Sequence, residues 1–451
     1  MIFLMTTAPP EKSPWGIANK IAPLGIAYVA AALEKEGFKV ELVDNYLLNK
    51  PISEIKQMVR RLSPKIVGIG CSSNTYRRCV ETAKAVKEVL PSCKVVVGGW
   101  HPSCMPESML KHPEIDYVIM GEGERAMVEL ANNIFKGKND STIAAISGLA
   151  YKHEEEIIRN KQTFIEDLDA VPFPARHLLP MHLYDRAIDY LSVKPVDTMS
   201  VVRGCPHDCT WCNVKGLWGK KCRSFSPFRV VEEITHLVDN YGSKGIYFVG
   251  DNFTINKANT VKICKLMKEN KLDIEWACET GVDLISRELL MEMKAAGCRT
   301  IFFGVESGSA KILKKINRGI TLQQVTDAFK LCKEEGMQTV GSFIIGIPGE
   351  TIEDMEATYN FAKILDPDWF LLNVFIAYPG CSLYDEILQK GLYDRLEDFL
   401  AYVKTDDFNY ELLLEIQRRF HRNFNRSPKR ILRKIRREGF FHTLRNSHIF
   451  G

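Results

Sequence analysis

Residues 203–215 read Arg-Gly-Cys-Pro-His-Asp-Cys-Thr-Trp-Cys-Asn-Val-Lys, which sets Cys205, Cys209 and Cys212 at Cys-x3-Cys-x2-Cys spacing with Trp211 immediately before the last thiol. Three thiolates on one short loop can hold a four-iron cluster with one iron unfilled. Cubane clusters ordinarily take four cysteine ligands, so a run of three leaves an iron free to bind and reduce a small molecule. Two other readings stand beside this one: a structural zinc site with His207 as fourth ligand, and three buried thiols without a metal. Zinc sites usually pair two separated Cys/His knuckles, and no second knuckle follows. Cys222, ten residues on in Lys220-Lys221-Cys222-Arg223, reads as an ordinary free cysteine.

The 451 residues are enough for two or three domains, and 45% hydrophobic with 26% charged residues excludes disordered and fibrous classes. Thirteen cysteines are an odd number, scattered through apolar segments with no signal peptide before them. Reduced thiols in a cytoplasmic, anaerobic setting are therefore expected. No apolar run approaches the length of a membrane span. The net charge of +4 hides an asymmetry: from Ile416 to Gly451 there are eleven Lys/Arg against one acid, Glu438. Phe420, Phe424, Ile431, Leu432, Ile435, Phe440 and Phe441 are interleaved with those cations. A solvated or intramolecular helix is the first expectation for this tail, and peripheral contact with an anionic membrane stays open. No nucleic-acid partner is expected.

Upstream of the cysteine loop, strands predicted at Ile2 to Thr6, Val40 to Val43, Ile66 to Ile69, Val95 to Val97 and Tyr117 to Met120 alternate with amphipathic helices. Ala27, Ala30, Ala31 and Leu33 share one helical stripe; Val80, Ala83, Val86 and Leu90 share another. Five such units predict a doubly wound, Rossmann-like or flavodoxin-like parallel domain over residues 1–145. Its ligand site belongs beyond the carboxyl ends of the strands. Those ends carry Cys71-Ser72-Ser73-Asn74, Gly98-Gly99-Trp100-His101-Pro102 and Gly121-Glu122-Gly123-Glu124. A linker is expected over 146–192, where Pro172, Pro174 and several acids cluster.

Six further strands are predicted over 193–390: Met199 to Val202, Ile246 to Val249, Ile274 to Ala277, Thr300 to Gly304, Thr339 to Ile345 and Trp369 to Phe375. Ser226-Pro227 and Thr351 with Asp354 read as helix starts. An open (β/α)6 partial barrel follows, with active residues at its strand ends. A helical, basic segment is expected over 391–451.

The cysteine loop, leaving the first barrel strand, resembles that of the radical S-adenosylmethionine (SAM) superfamily. The resemblance implies a [4Fe-4S] cluster on Cys205, Cys209 and Cys212, whose open iron chelates SAM and whose electron releases a 5′-deoxyadenosyl radical. It also implies SAM contacts on this chain. Trp211 would pack on the nucleoside; Gly250, Asp251 and Asn252 would receive the methionine amino group, although only Gly250 matches the family's Gly-Gly-Glu literally. Glu306 and Ser307 would hydrogen-bond the ribose, and Ile345 and Gly346 would face the adenine, with the segment's glutamate displaced to Glu350.

The first domain is similar to the cobalamin-binding domain of B12-dependent radical SAM enzymes. That resemblance implies corrin contacts at Leu24, Gly25, Ser72, Ser73, Gly98, Gly99, His101, Pro102, Gly121, Glu122, Gly123 and Glu124. The Asp-x-His-x-x-Gly string that places a histidine under cobalt is missing. Either cobalt has no protein histidine beneath it or the domain has lost cobalamin; His101 reads more readily as a hydrogen-bonded neighbour than as a ligand.

The implied activity is methylation of an unactivated carbon or phosphorus centre of a small-molecule or lipid-like substrate, with electrons from a flavodoxin- or ferredoxin-type donor. Oxidative cyclisation or rearrangement without net methylation is the sibling reading. A non-catalytic cobalamin or cluster sensor is the reading from another class.

Overall fold

The computed structural model describes residues 1–10, 21–137, 140–250, 252–428, 430 and 431. The first sheet contains β1 (Ile2–Thr6), β2 (Val40–Val43), β3 (Ile66–Gly70), β4 (Lys94–Gly98) and β5 (Tyr117–Ile119), parallel in the order β2-β1-β3-β4-β5. This is the flavodoxin-like order. Because side chains alternate across a strand, Ile2 and Leu4 join the core under one face, with Ala27, Ala30 and Leu33. Phe3 and Met5 join the core under the other, with Ala83 and Val86. Two helix-covered faces explain why the strands read as continuous apolar runs.

The sheet does not stop where the sequence pattern did. β6 (Leu149–His153) and β7 (Glu156–Arg159) extend it as an antiparallel hairpin, inside the stretch expected to be linker. The remainder of that stretch is anchored through Arg176, which is buried and donates to Glu233 Oε1 (2.9 Å) and to the Thr198 carbonyl (2.7 Å). Pro174-Ala175-Arg176 thus ties the first domain to the second.

The second sheet begins at β8 (Val196–Met199), three residues before the predicted start. Val202 and Arg203 instead form β9 (Val202–Arg203), an antiparallel ribbon with β10 (Arg223–Ser224) that brackets the cysteine loop. Then come β11 (Gly245–Phe248), β12 (Glu275–Thr280), β13 (Cys298–Glu306), β14 (Gln338–Ile345) and β15 (Trp369–Val374). All six barrel strands are parallel, in the order β15-β14-β13-β12-β11-β8, and β15 and β8 do not pair. The barrel is open. Ser226 caps its helix by accepting from the Arg229 amide, and Thr351 with Asp354 forms a full capping box, as the sequence pattern predicted.

After the barrel the chain is not simply helical. β16 (Ile376–Ala377), β17 (Tyr393–Glu397) and β18 (Leu400–Val403) make a small antiparallel sheet, followed by the helix Tyr410–Asn425. That helix closes the open edge. Gln417 Nε2 donates to the Leu372 carbonyl at 2.6 Å, and the Phe424 ring lies 4.3 Å from that of Phe370. Phe420 and Phe424, offered above for membrane contact, are therefore buried against β15 and its neighbours. Arg430 continues the anchoring, donating to the Pro367 and Asp368 carbonyls. Leu432, Ile435, Phe440 and Phe441 lie outside the described residues. Among the described residues no helix is long and apolar enough to cross a membrane.

Candidate functional site

The cysteine loop sits on the β9–β10 ribbon at the carboxyl ends of the barrel strands. Gly204 has φ +97°, and a Cβ there would fall 2.3 Å from the Lys221 carbonyl oxygen, so only glycine lets the two sides of the loop approach. The loop is then held by backbone bonds. Cys205 N donates to the Gly219 carbonyl (3.2 Å), Thr210 N to Ile316 (3.0 Å) and Cys212 N to Cys209 (3.2 Å), while Leu383 N donates to Thr210 (2.9 Å). Cys205, Cys209 and Cys212 are all half-buried. Among the described residues no three His, Cys, Asp or Glu side chains converge on a single ion. Thiolates are the soft donors that an iron–sulfur cubane takes, one on each of three irons. The donor set on this loop fits the cluster.

The later strand ends gather around it. Asn252, at φ +50°, brings Nδ2 to 4.0 Å from Cys205 Sγ. Asp251 lies outside the described residues. Glu306 stands at a register shift of β13 with φ +71°, a conformation that costs free energy and persists where surroundings enforce it. Burial pushes its carboxyl up to about 7, although Arg318 Nε, 3.8 Å away, opposes this. Four buried polar atoms here have no hydrogen-bond partner: Thr210 Oγ1, Trp211 Nε1, Arg318 Nε and Glu350 Oε1. Buried polar groups are nearly always satisfied. These four orphans fit a polar ligand such as SAM.

Not every expected contact is available. Ser307 is fully buried and its hydroxyl is engaged with Thr358 Oγ1 (3.1 Å) and the Ser309 amide (3.1 Å), so it fixes the turn after β13. Ile345 belongs to the barrel core, and Leu413 of the C-terminal helix packs over Gly346. Glu350 braces that segment instead, accepting from the Gly346 amide at 2.6 Å and the Ile347 amide at 3.0 Å.

The first domain presents its strand ends to this loop. Asn213, next to Cys212, donates to Cys104 Sγ at 3.5 Å across the junction and to the Pro379 carbonyl at 3.1 Å. Leu24 packs against the barrel core, while Gly25 is exposed with open space around it. Gly99, at φ +109°, would put a Cβ 2.5 Å from the Cys71 carbonyl oxygen, so glycine keeps the β3 and β4 loops in register. Gly98 and Ser73 are half-buried beside it, and Ser72 closes a capping box with Thr75. Gly121 presses on Gln162 and lies near the Leu217 carbonyl, with Gly123 against Val29; Pro102 is buried.

Three residues expected to touch a corrin have side-chain partners within the protein. His101 is 1% exposed, with Nδ1 3.1 Å from Ser73 Oγ and Nε2 2.9 Å from Ser108 Oγ. Ser108 donates its own proton to the Met105 carbonyl, so Nε2 of His101 is the donor and Nδ1 accepts from Ser73. Burial pushes this imidazole down to about 4 and keeps it neutral. Phe399, at the tip of the β17–β18 hairpin, covers the ring at 4.8 Å. Glu122 and Glu124 are buried and face Arg203 and Arg223 of the ribbon, an arrangement the sequence reading missed. Its signal was visible: an arginine ending the apolar run Val201-Val202 has to find a carboxylate.

The Radical SAM superfamily profile matches residues 199–362 and the B12 binding domain profile residues 17–131. An uncharacterized methyltransferase of Pyrococcus horikoshii is 34% identical over 444 residues, covering 96% of this chain and 95% of its own. The cytidylyl-2-hydroxyethylphosphonate methyltransferase of Streptomyces wedmorensis is 27% identical, covering 89% and 86%. Among solved structures, the cobalamin-dependent SAM radical enzyme OxsB with aqua-cobalamin bound superposes with a TM-score of 0.78 at 17% identity, over 97% of this chain and 68% of that one. With the three cysteines on a barrel end that opposes a flavodoxin-like domain, the chain belongs to the B12-binding radical SAM enzymes, whose cofactors are a [4Fe-4S] cluster, SAM and cobalamin.

Proposed function

We propose that this chain is a methyltransferase acting on an unactivated carbon or phosphorus centre of a small-molecule or lipid-like substrate held between the two domains. The observation that carries the reading is the opposition of the cluster loop and the first domain's ligand loops, joined at Asn213 and Cys104. When bound, the cofactors supply the electron, the 5′-deoxyadenosyl radical and the methyl group. The chain's part is to bind and orient. Cys205, Cys209 and Cys212 hold the cluster, and Trp211 and Thr210 offer their orphaned groups to the nucleoside side. Glu306 is set to accept from ribose hydroxyls, and Asn252 and Gly250 to meet the methionine end. Gly25, Ser73, Gly99, Gly121 and Gly123 offer backbone and small side chains to a corrin. A flavodoxin- or ferredoxin-type donor would supply the electron in a reducing, cytoplasmic setting. Contact with an anionic membrane would fall to residues beyond 431.

Anaerobically reconstituted protein with dithionite is expected to cleave SAM to 5′-deoxyadenosine and to retain a corrin absorbance band through gel filtration. No cleavage would sink the enzymatic reading and favour a sensor. Once a substrate is found, product heavier by one methyl supports transfer, whereas loss of hydrogens or an isomer supports cyclisation or rearrangement.

His101 yields a second expected result. Both its nitrogens are engaged and its ring is covered, so cobalt receives no imidazole from it. The electron paramagnetic resonance spectrum of the cob(II)alamin-loaded protein should then be unchanged by 15N-histidine labelling. An isotope-sensitive splitting would overturn the assignment.

A further inference from the structure

We propose that Glu122 and Glu124 are positioning residues for the cluster: they carry the setting of the first domain's ligand loop to the cysteine loop through Arg203. Glu122 stands on the loop after β5, and Glu124 lies in the first turn of the helix that follows, Gly123–Lys136. Arg203 Nη1 donates to Glu122 Oε1 at 3.0 Å and Nη2 to Glu124 Oε1 at 2.6 Å, one fork spanning two carboxylates. Only Gly204 separates this arginine from Cys205. On the other strand of the ribbon, Arg223 donates to both oxygens of Glu122 (2.8 and 2.9 Å), to the Ile165 carbonyl and to the Trp218 carbonyl. The two arginines are themselves paired across the ribbon. Two positive and two negative groups, none with a side chain more than 7% exposed, thus bracket the cysteine loop at both ends.

Isolated charges at such burial are costly, and a fork that loses one carboxylate leaves a charge uncompensated. A shift of residues 121–124 on ligand binding must therefore move the ribbon or break the network. The aromatic rings of Tyr28, Trp218 and Phe225 surround the Arg203 guanidinium and leave it little other room.

This inference rests on the first domain binding cobalamin, and hydrogen exchange of the whole chain with and without hydroxocobalamin separates the two claims. In the native protein, hydroxocobalamin is expected to slow exchange in peptides covering 202–225 roughly tenfold, the scale of securing buried charge-assisted bonds. In Glu124→Gln, and in Arg203→Lys, which keeps the charge but loses the fork, corrin absorbance should stay with the protein while the slowing falls below about twofold. Peptides from β13 and β14 report whether each variant is folded. Full slowing in a folded variant with corrin bound would overturn the proposal. So would bound corrin without slowing in the native protein, an arm that needs no variant. Native protein that binds no corrin overturns both the cobalamin reading and this coupling, and is recognised by its missing corrin absorbance.

Discussion

Alanine at Cys205, Cys209 or Cys212 is expected to abolish the iron–sulfur absorbance and to reduce 5′-deoxyadenosine formation to background, while Cys222→Ala keeps both. An iron deprived of its thiolate is lost, and metal affinity depends on each ligand being present and deprotonated. The loop geometry makes the result interpretable. Its shape is set by backbone bonds from Cys205, Thr210 and Cys212 amides to Gly219, Ile316 and Cys209 carbonyls, none of which uses a thiol. Alanine leaves those bonds in place, so the loss reports ligation rather than misfolding. Cys222 donates its thiol to the Gly204 carbonyl at 3.4 Å, outside the ligand run, and serves as the control. Retention of a full-intensity cluster in any one of the three variants would remove that cysteine from the ligand set.

What was legible in the sequence follows from which constraints are local. Spacing along one loop singled out the three cysteines as candidate ligands, and glycine-rich strand ends the candidate ligand loops, because both depend on a few consecutive residues. Strand existence was legible for the same reason. The start of β8 was misplaced because Met199 to Val202 is uniformly apolar apart from Ser200, and pattern alone does not say where a strand hands over to a ribbon. The protein partners of Glu122, Glu124 and Ser307 were not legible because they lie far off in sequence, at Arg203, Arg223 and Thr358. A carboxylate on a ligand loop looks the same whether it meets a cofactor or a distant arginine; only the tertiary fold decides. The apolar face of the C-terminal helix showed the converse ambiguity, since Phe420 and Phe424 could equally have met lipid or an open strand edge.

Stability of the SAM-free protein is expected to fall by about 2 kcal/mol between pH 6.5 and pH 8, and the variant Glu350→Gln to lose most of that slope. Glu350 is fully buried, and one oxygen takes both the Gly346 and Ile347 amides while the other has no partner. Burial pushes its carboxyl up to about 8; the two amides and Lys311 oppose this, and Asp354 adds to it. Lys311 is committed to Asp354 at 2.6 Å. With an unfolded value of 4.5, the folded chain holds a proton at Glu350 that the unfolded chain has released. Stability therefore declines as pH rises from about 4.5 to about 8 and levels off above, at 1.36 kcal/mol per unit. Glu306, pushed up to about 7, adds a decline of the same sign that is nearly complete by pH 7. His101, pushed down to about 4, works oppositely, but only below its unfolded value of 6.5. Across pH 6.5 to 8 the larger share of the decline therefore belongs to Glu350, and the tail of the Glu306 decline persists in Glu350→Gln. Urea midpoints across it decide the matter, and an equal slope in Glu350→Gln would show that the carboxyl is already ionised in the folded chain. Glutamine still accepts from both amides, so the backbone at Gly346 keeps its place and the variant separates the cost of the charge from the bracing of that segment.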